Sequence, residues 1–248
     1  MKIAGHAPSR SASLRPWVVC LGCGLSLFTV MGLGVNVFTV YQPHLLLVHG
    51  FTNAQGSWIT TVRSLFALLS MLTVDQLCRR LGLRNTMVLG MGCFVGSYLL
   101  FGFAHSFSAY CGGAVLSGLA YGYGGMIPLT LVISRWFPTG RGFALGMAAA
   151  GSGISTIFAP PLITGAIQAL GLSAAFLWEA AAGVLLTLLV YLLVRDSPGS
   201  PEFPDSEDSL PGARGVGLSR PLLWMVLLSA FLTGGPCGPG FSHLTVLY

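Results

Sequence analysis

Long apolar runs, interrupted by short polar segments, dominate the pattern of hydrophobic and polar positions along the chain. A helix needs about 20 apolar residues to cross the hydrocarbon core of a bilayer, and six runs reach that length. The period-two alternation that is typical of membrane-spanning strands is missing from the sequence. The pattern therefore predicts an all-α membrane protein. The six predicted spans cover residues 17–40, 58–77, 86–104, 110–133, 142–170 and 174–194, and a seventh run begins at Pro221.

Two polar segments are longer than the other links between these runs. Residues 41–56 contain Gln, His and Asn and are predicted to form a loop. Residues 195–220 combine Pro and Gly with five acidic side chains, which predicts a flexible cytoplasmic connector. The predicted organisation is an amino-terminal segment at 1–16, a six-helix transmembrane domain at 17–194, the connector, and a seventh transmembrane helix at 221–248.

The composition excludes a water-soluble fold. Hydrophobic residues occupy 54% of the 248 positions and charged residues 8%, with a mean hydropathy of +0.78, whereas about a quarter of the residues are charged in a soluble domain. Lys2 is the only lysine, so the chain lacks a Gly-Lys-Ser/Thr phosphate loop and is not a self-contained ATP-driven pump. The six cysteines are scattered and lack the ligand set of a zinc site, so neither a metal nor another cofactor is predicted.

The basic residues predict how the spans are oriented. With an internal amino terminus, eleven of the twelve lie on one side of the membrane and the opposite loops contain none. Since positively charged loops stay in the cytoplasm, we expect a multi-pass protein of the plasma (cytoplasmic) membrane with a cytoplasmic amino terminus. The arginines flank apolar runs and form no patch, so nucleic-acid binding is not predicted. The eleven residues are Lys2, Arg10, Arg15, Arg79, Arg80, Arg84, Arg135, Arg141, Arg195, Arg214 and Arg220.

Two segments between the predicted spans carry motifs. Residues 135–146 read Arg-Trp-Phe-Pro-Thr-Gly-Arg-Gly-Phe-Ala-Leu-Gly and resemble the junction of the fourth and fifth helices in the major facilitator superfamily. The similarity is greatest to its oxalate:formate antiporter and monocarboxylate transporter branches. Residues 79–84 resemble the family's Asp-Arg-Phe-Gly-x-Arg loop, although Arg79 replaces the usual acid and Asp75 lies one turn upstream. The gating positions that the resemblance implies are Asp75, Arg80, Gly82, Arg84, Arg135, Arg141, Gly142 and Gly146.

The resemblance implies the amino-terminal six-helix half of a major-facilitator fold, followed by the first helix of the second half. Proteins of this family have twelve helices in two halves and bind substrate between them. The resemblance further implies secondary active transport of a small organic anion, of the monocarboxylate or dicarboxylate type, by symport or antiport through alternating access. The expected partners are membrane lipid and the anion, with protons as a candidate coupling ion.

The length of the chain leaves alternatives open. Because the sequence ends after seven predicted spans, transport is expected to need a missing second half or a second copy. The alternatives are a truncated product that does not transport and a half-transporter that acts as a dimer. An enzyme is not predicted. Residues 150–153 nearly match the Gly-x-Ser-Gly motif of intramembrane serine proteases, but the first is Ala and no histidine follows before His243 to act as base.

Arg63 is the one basic residue inside a predicted span. A membrane-embedded arginine costs at least a few kcal/mol and usually faces the bundle interior or a water-filled cavity. Three interpretations are open, namely contact with an anionic substrate in a cavity, snorkelling to the outer headgroups, and a structural ion pair. Asn36 and Tyr121, on the first and fourth spans, are predicted substrate contacts, with hydrogen bonding between helices as the alternative.

Glu179 is the only acidic residue in the middle of a predicted span. A carboxyl group buried in a membrane protein can bind and release a proton, so Glu179 is the candidate proton carrier. It lies at a depth similar to that of Arg63, which makes the two residues candidates for an ion pair.

Small residues recur every four positions in two of the spans. This spacing lets helix backbones approach closely in lipid, and it is compatible both with static packing and with a sliding contact during alternating access. The residues are Ala114, Gly118 and Gly122 in the fourth span and Gly142, Gly146 and Ala150 in the fifth.

Overall fold

The computed structural model describes residues 10–137 and 139–194, with side chains from residue 15 onward. Within these ranges the regular structure is helical throughout, and six helices are long and apolar enough to cross a membrane. The predicted all-α membrane fold class is therefore confirmed. The predicted connector at 195–220 and the seventh helix at 221–248 lie outside the described residues. The six spans are Arg15–His49, Asn53–Leu81, Leu83–Phe103, Phe107–Trp136, Arg141–Leu170 and Leu172–Leu193.

The first span consists of three helical segments that follow one another without a break. Helix α1 (Arg10–Leu27) leads into a π-helix at Phe28–Val37, which continues as α2 (Phe38–His49). π-Helices are rare and frequently lie at functional sites. A Cβ at Gly32, inside the π-helix, would lie 2.2 Å from the Cβ of Ser155. A glycine at this position therefore allows the π-helix to contact the fifth span.

The prediction of a loop at 41–56 is wrong. The helix continues to His49, and three residues separate it from the next helix. Tyr41 and Leu45 are buried, and the packing of these side chains outweighs the turn-forming tendency of the polar residues around them. The helix ends at Gly50, which has a left-handed conformation with φ of 66° and closes the last turn with its N–H.

Local signals determine where the second and third spans begin. Helix α3 (Asn53–Leu81) starts at a capping box, in which Thr52 Oγ1 accepts a hydrogen bond from the Gln55 N–H and Gln55 Oε1 accepts one of 2.9 Å from the Thr52 N–H. Gly82 separates α3 from α4 (Leu83–Phe103). Its φ of 85° and ψ of 160° define a backbone conformation that is essentially restricted to glycine.

The fourth span is broken, whereas the fifth and sixth are continuous. Helices α5 (Phe107–Gly124) and α6 (Met126–Trp136) are separated by Gly125. Helices α7 (Arg141–Leu170) and α8 (Leu172–Leu193) form the last two described spans. Helix α4 packs between α5 and α8, α3 packs mainly against α5, and the first span packs against α7.

Small residues bring α5 directly against α3. A Cβ at Gly118 would lie 2.4 Å from the backbone oxygen of Arg63, and a Cβ at Gly122 would lie 2.1 Å from Ser70 Oγ. The Ser70 hydroxyl donates to the Gly118 carbonyl oxygen at 3.2 Å. The small residues of the fourth span therefore form a close packing surface around the segment that holds Arg63.

The core between the first span, α4 and α8 is aromatic. The Tyr41 ring stacks on Phe176 with ring centroids 4.1 Å apart, and Phe94 contacts Tyr98 at 4.5 Å. All four side chains are fully buried. Large rings of this kind provide much of the dispersion contact that holds helices together where water is excluded.

Candidate functional site

A cavity of about 350 Å³ lies between the π-helix, α3 and α5. Helix α3 contributes most of its wall because several of its residues recur at helical spacing on one face. The wall is largely apolar, and its polar members come from α3 and α5. The lining residues are Val35, Arg63, Ser64, Ala67, Leu68, Met71 and Tyr121.

The guanidinium of Arg63 connects the cavity to the first span. Its Nη1 donates to the carbonyl oxygen of Gly34 at 3.2 Å, and its Cζ lies 4.9 Å from the centroid of the Phe38 ring. No carboxylate in the described part of the chain pairs with it, and the ion pair with Glu179 is not formed. A guanidinium has five N–H donors, of which the described residues use one.

The two other predicted substrate contacts have different environments. Tyr121 lines the same cavity as Arg63. Asn36 does not line this cavity. It faces α7, where its Nδ2 donates to Thr156 Oγ1 at 2.7 Å. The structure thus brings Tyr121 and Arg63 together and leaves Asn36 in a bond between helices.

Two consecutive carbonyl groups of the π-helix accept hydrogen bonds from other helices. The Leu33 oxygen accepts a bond of 3.0 Å from the Tyr98 hydroxyl of α4, and the Gly34 oxygen accepts the bond from Arg63. The π-helix is therefore in contact with the cavity arginine and with the aromatic core at adjacent positions.

Glu179 is buried in that aromatic core. Its side chain is 1% exposed, and its Oε2 accepts a hydrogen bond of 2.7 Å from the Tyr41 hydroxyl. Its Oε1 is buried and has no hydrogen-bond partner within the described residues. The pair joins α2 to α8.

The motif residues at the α3–α4 junction form local contacts. Asp75 Oδ2 and Arg79 Nε are 3.0 Å apart and form an ion pair one helical turn apart, with 58% and 45% of their side chains exposed. Arg80 is exposed. Arg84 Nε donates to the Tyr191 carbonyl oxygen at 3.1 Å, and its Cζ lies 3.9 Å from the centroid of the Tyr191 ring. Asp75 thus pairs with the arginine that stands where the family has its acid.

The motif residues at the α6–α7 junction differ in their surroundings. Arg135 lies in the last turn of α6. Arg141 Nε donates to the Phe137 carbonyl oxygen at 3.2 Å across the junction. A Cβ at Gly142 or Gly146 would meet no atom of the described chain within 4 Å. These two glycines, unlike Gly118 and Gly122 of α5, border open space.

Sequence reasoning missed part of the cavity wall. Ser64, Leu68 and Met71 were not predicted as site residues, although they recur at intervals of four and three along α3 and therefore share a helix face. Tyr41 was missed because it falls in the segment predicted as a loop. Its helical signal is the buried pair Tyr41 and Leu45, one turn apart.

Comparison with known proteins shows which proteins the chain is similar to. The family model of the Major Facilitator Superfamily matches residues 23–248. MFS-type transporter pynF of Aspergillus niger is 26% identical over 213 residues, which cover 82% of the chain and 47% of that protein. Uncharacterized MFS-type transporter YcxA of Bacillus subtilis is 29% identical over 245 residues, covering 95% and 58%.

A third relative is named for its substrate. The Tetracenomycin C resistance and export protein of Streptomyces glaucescens is 28% identical over 207 residues, which cover 82% of the chain and 37% of that protein. The chain therefore spans about half the length of the curated relatives that it matches, between 37% and 58% for these three.

Proposed function

Because the chain belongs to the Major Facilitator Superfamily, we propose that it is the amino-terminal half of a secondary active transporter for a small organic anion. The relatives that it matches are named as transporters or exporters. The proposed anion is a monocarboxylate or dicarboxylate, which moves by alternating access without ATP. In this family the substrate lies between two halves, so a second half or a second copy of the chain would complete the site.

The observation that carries this proposal is the position of Arg63 in a cavity inside the spans. Keeping a guanidinium within a membrane protein is costly, which favours a functional reason for its presence. The planar fork of an arginine matches the two oxygens of a carboxylate, and the described residues use only the bond to Gly34. Tyr121 in the same cavity offers a hydroxyl group for a second contact.

The cavity favours a small anion with an apolar part. Its volume of about 350 Å³ is near the lower end of the range of roughly 300–1,000 Å³ that is typical of ligand pockets. Val35, Leu68 and Met71 provide apolar wall surface in the same cavity as the charged group. Asn36 would become a contact by exchanging its bond to Thr156 for one to the substrate.

The exposed apolar faces of α3 and α7 favour the proposal that a partner domain packs against this chain. Leu68 and Leu72 on α3 are 56% and 69% exposed, and Ile157 and Leu162 on α7 are 69% and 67% exposed. A second helical half that packs on these faces would close the cavity beside Leu68, and the open space at Gly146 would allow close approach. Uptake by a protein that sedimentation shows to be a single copy of this chain would contradict the need for a partner.

We also propose that the protein lies in the plasma membrane with its amino terminus in the cytoplasm. The described junctions fall into two groups. Those between α3 and α4 and between α6 and α7 are rich in arginine, whereas residues 50–52 and 104–106 contain none. Because arginine-rich loops stay in the cytoplasm, the arginine-rich junctions define the inner side. The arginines concerned are Arg79, Arg80, Arg84, Arg135 and Arg141.

Uptake of radiolabelled acetate, lactate and oxalate into proteoliposomes that hold the chain joined to the second half that completes its site tests the anion proposal. Arg63→Gln is expected to lower uptake at least tenfold, since the loss of a charged hydrogen-bond partner costs about 1.5–3 kcal/mol and about 1.4 kcal/mol equals a factor of ten. Arg15→Gln, at an exposed arginine outside the cavity, is the matched control and should keep the wild-type rate. Wild-type uptake by Arg63→Gln, or no uptake of any of the three anions by the unmodified protein, would refute the proposal.

Export of a larger aromatic compound is the second candidate function. The similarity to the Tetracenomycin C resistance and export protein favours it, as does the apolar cavity wall. Efflux of a polycyclic aromatic dye, unaffected by Arg63→Gln and combined with no uptake of the small anions, is the outcome expected for this candidate.

Both candidates are transport functions, and we propose no enzymatic activity. The serine of the near-match to a protease motif, Ser152, donates its hydroxyl to the Ala149 carbonyl oxygen of its own helix at 2.8 Å. A nucleophilic serine requires a base at that position instead. Lack of labelling of Ser152 by a fluorophosphonate probe is the expected result, and labelling would contradict it.

A further inference from the structure

A buried carboxyl group lies outside the cavity described above. Glu179 on α8 is 1% exposed, and its Oε2 accepts a hydrogen bond of 2.7 Å from the Tyr41 hydroxyl on α2. Its Oε1 is also buried and has no hydrogen-bond partner in the described ranges. Buried polar atoms are nearly always paired, so this oxygen needs an explanation.

The groups that face Glu179 do not include a cation. Helix α8 packs against α4, α7 and the first span. The titratable side chains on these elements that interact with the carboxyl group are Tyr41 and, on α4, Tyr98. Helix α7 contributes none within the described residues. Phe176 stacks on the Tyr41 ring, and the Arg63 guanidinium is bonded to the first span instead.

An ionised carboxylate in these surroundings would be poorly compensated. One hydrogen bond from a neutral hydroxyl offsets only a small part of the desolvation of a full charge. A proton on Oε1 removes the charge and leaves the bond from Tyr41 to Oε2 intact. We propose that Glu179 is a proton-binding site of this protein, separate from the anion cavity and covered by Tyr41.

The first span connects this site to the cavity. Helix α2, which carries Tyr41, continues directly from the π-helix, whose Gly34 oxygen accepts the bond from Arg63. An anion that draws the guanidinium away leaves the Gly34 oxygen without its bond from Arg63. The π-helix can offset this loss by tightening to α-helical hydrogen bonds. Because a π-helix has more residues per turn than an α-helix, tightening rotates α2 and displaces Tyr41 relative to Glu179.

The movement of Tyr41 opens the carboxyl group to water. The O–H bond of the acid then breaks, the proton passes to a water molecule, and the carboxylate remains until the reverse movement restores the contact. Anion binding and proton release are thereby coupled through one helix. This coupling rests on the proposed anion site, whereas proton binding at Glu179 does not depend on it.

Infrared spectroscopy of the purified protein in lipid bilayers tests proton binding directly. A protonated carboxyl group has a carbonyl stretching band separate from the bands of a carboxylate, and we expect such a band from Glu179 at neutral pH. Glu179→Gln keeps the shape and the acceptor for Tyr41, and it should remove the band. Tyr41→Phe keeps the stacking on Phe176 and should shift the band to higher frequency, because the hydrogen bond to the carboxyl group is lost.

Two control variants separate the possible failures. Thr187→Val removes a hydroxyl from the same helix, one that donates to the Gly183 oxygen at 2.6 Å, and should leave the band unchanged. Tyr121→Phe removes the proposed second anion contact in the cavity and leaves the bond from Arg63 to Gly34 in place. It should keep the band while lowering anion uptake, so the failure of one proposal is distinguishable from the failure of the other. The inference is overturned if the band is the same in the wild type, in Glu179→Gln and in Tyr41→Phe. If Glu179→Gln does not fold, the comparison of the wild type with Tyr41→Phe decides the question.

Transport provides a readout that a purely structural role would not change. In proteoliposomes that contain the wild-type protein, we expect lactate uptake to rise when the lumen is made more acidic than the outside, because anion binding is coupled to proton release. Glu179→Gln should abolish this response, since the amide cannot release a proton. A response in Glu179→Gln equal to that of the wild type would overturn the coupling.

Discussion

Gly118 on α5 is the position where a single methyl group should disturb the site most directly. A Cβ added there would lie 2.4 Å from the Arg63 backbone oxygen, 2.8 Å from the Phe66 Cβ and 2.9 Å from the Ala67 nitrogen. Two of these atoms belong to the backbone of α3 and cannot move away as the end of a flexible side chain can. Gly118→Ala must therefore push α3 and α5 apart at the level of the cavity.

The magnitude follows from this geometry. Ordinary contact begins at 3.4 Å, so the 2.4 Å separation from the Arg63 oxygen has to grow by about 1 Å. Overpacking of this kind costs about 1–3 kcal/mol. Alanine also gains about 0.5–1 kcal/mol over glycine inside a helix, which offsets part of the cost. Gly112, on the same helix, has no atom within 4 Å of an added Cβ, so Gly112→Ala shares the helix gain without the clash.

Thermal unfolding of the two variants in detergent isolates the clash. The difference between the two variants removes the shared gain in helix stability and leaves the clash of about 1–3 kcal/mol. Because about 1 kcal/mol shifts the Tm of a domain of this size by about 2–4 °C, Gly118→Ala should have a Tm about 2–12 °C below that of Gly112→Ala. Intrinsic tryptophan fluorescence can follow the transition. Equal melting temperatures for the two variants would refute the close approach of α3 and α5 and, with it, the position of Arg63 in the cavity.

Two further predictions concern the helix junctions. Gly82→Ala should lower the free energy of unfolding by about 1–3 kcal/mol, because alanine is strained at a φ of 85° and ψ of 160°; Gly92→Ala, in open space on α4, is the control, and equal Tm values would contradict the strained conformation. A short epitope inserted at Thr52 should bind antibody on intact cells, whereas one inserted at Gly82 should bind antibody only after the cells are permeabilised. Antibody binding to both epitopes from the same side of the membrane would contradict the proposed orientation.

The helices were predictable because the length of an apolar run is a local property. The spans that contain Arg63 and Glu179 were recognised from the runs around them, and family membership agrees with the motif at residues 135–146. The end of the first span was not predictable in the same way. Tyr41 is followed by Gln42, Pro43 and His44, and only the burial of Tyr41 against α4 and α8 shows why the helix continues to His49.

The contacts of the candidate site were less predictable because they join distant positions. The bond from Arg63 to Gly34 spans 29 residues, and the bond from Tyr41 to Glu179 spans 138. The sequence made an ion pair between Arg63 and Glu179 equally reasonable, since both lie at a similar depth. Their actual partners depend on how the helices are rotated about their axes, which side-chain packing determines.

The sequence alone determined the all-α membrane fold class and the family, because hydrophobic length and short motifs are written in consecutive residues. The tertiary structure decided which polar groups meet. It placed Arg63 and Tyr121 in one cavity, bonded Asn36 to α7, and buried Glu179 beneath Tyr41 with one oxygen unpaired. The physical reason is that depth in a membrane depends on position along one helix, whereas contact depends on the packing of several helices against one another.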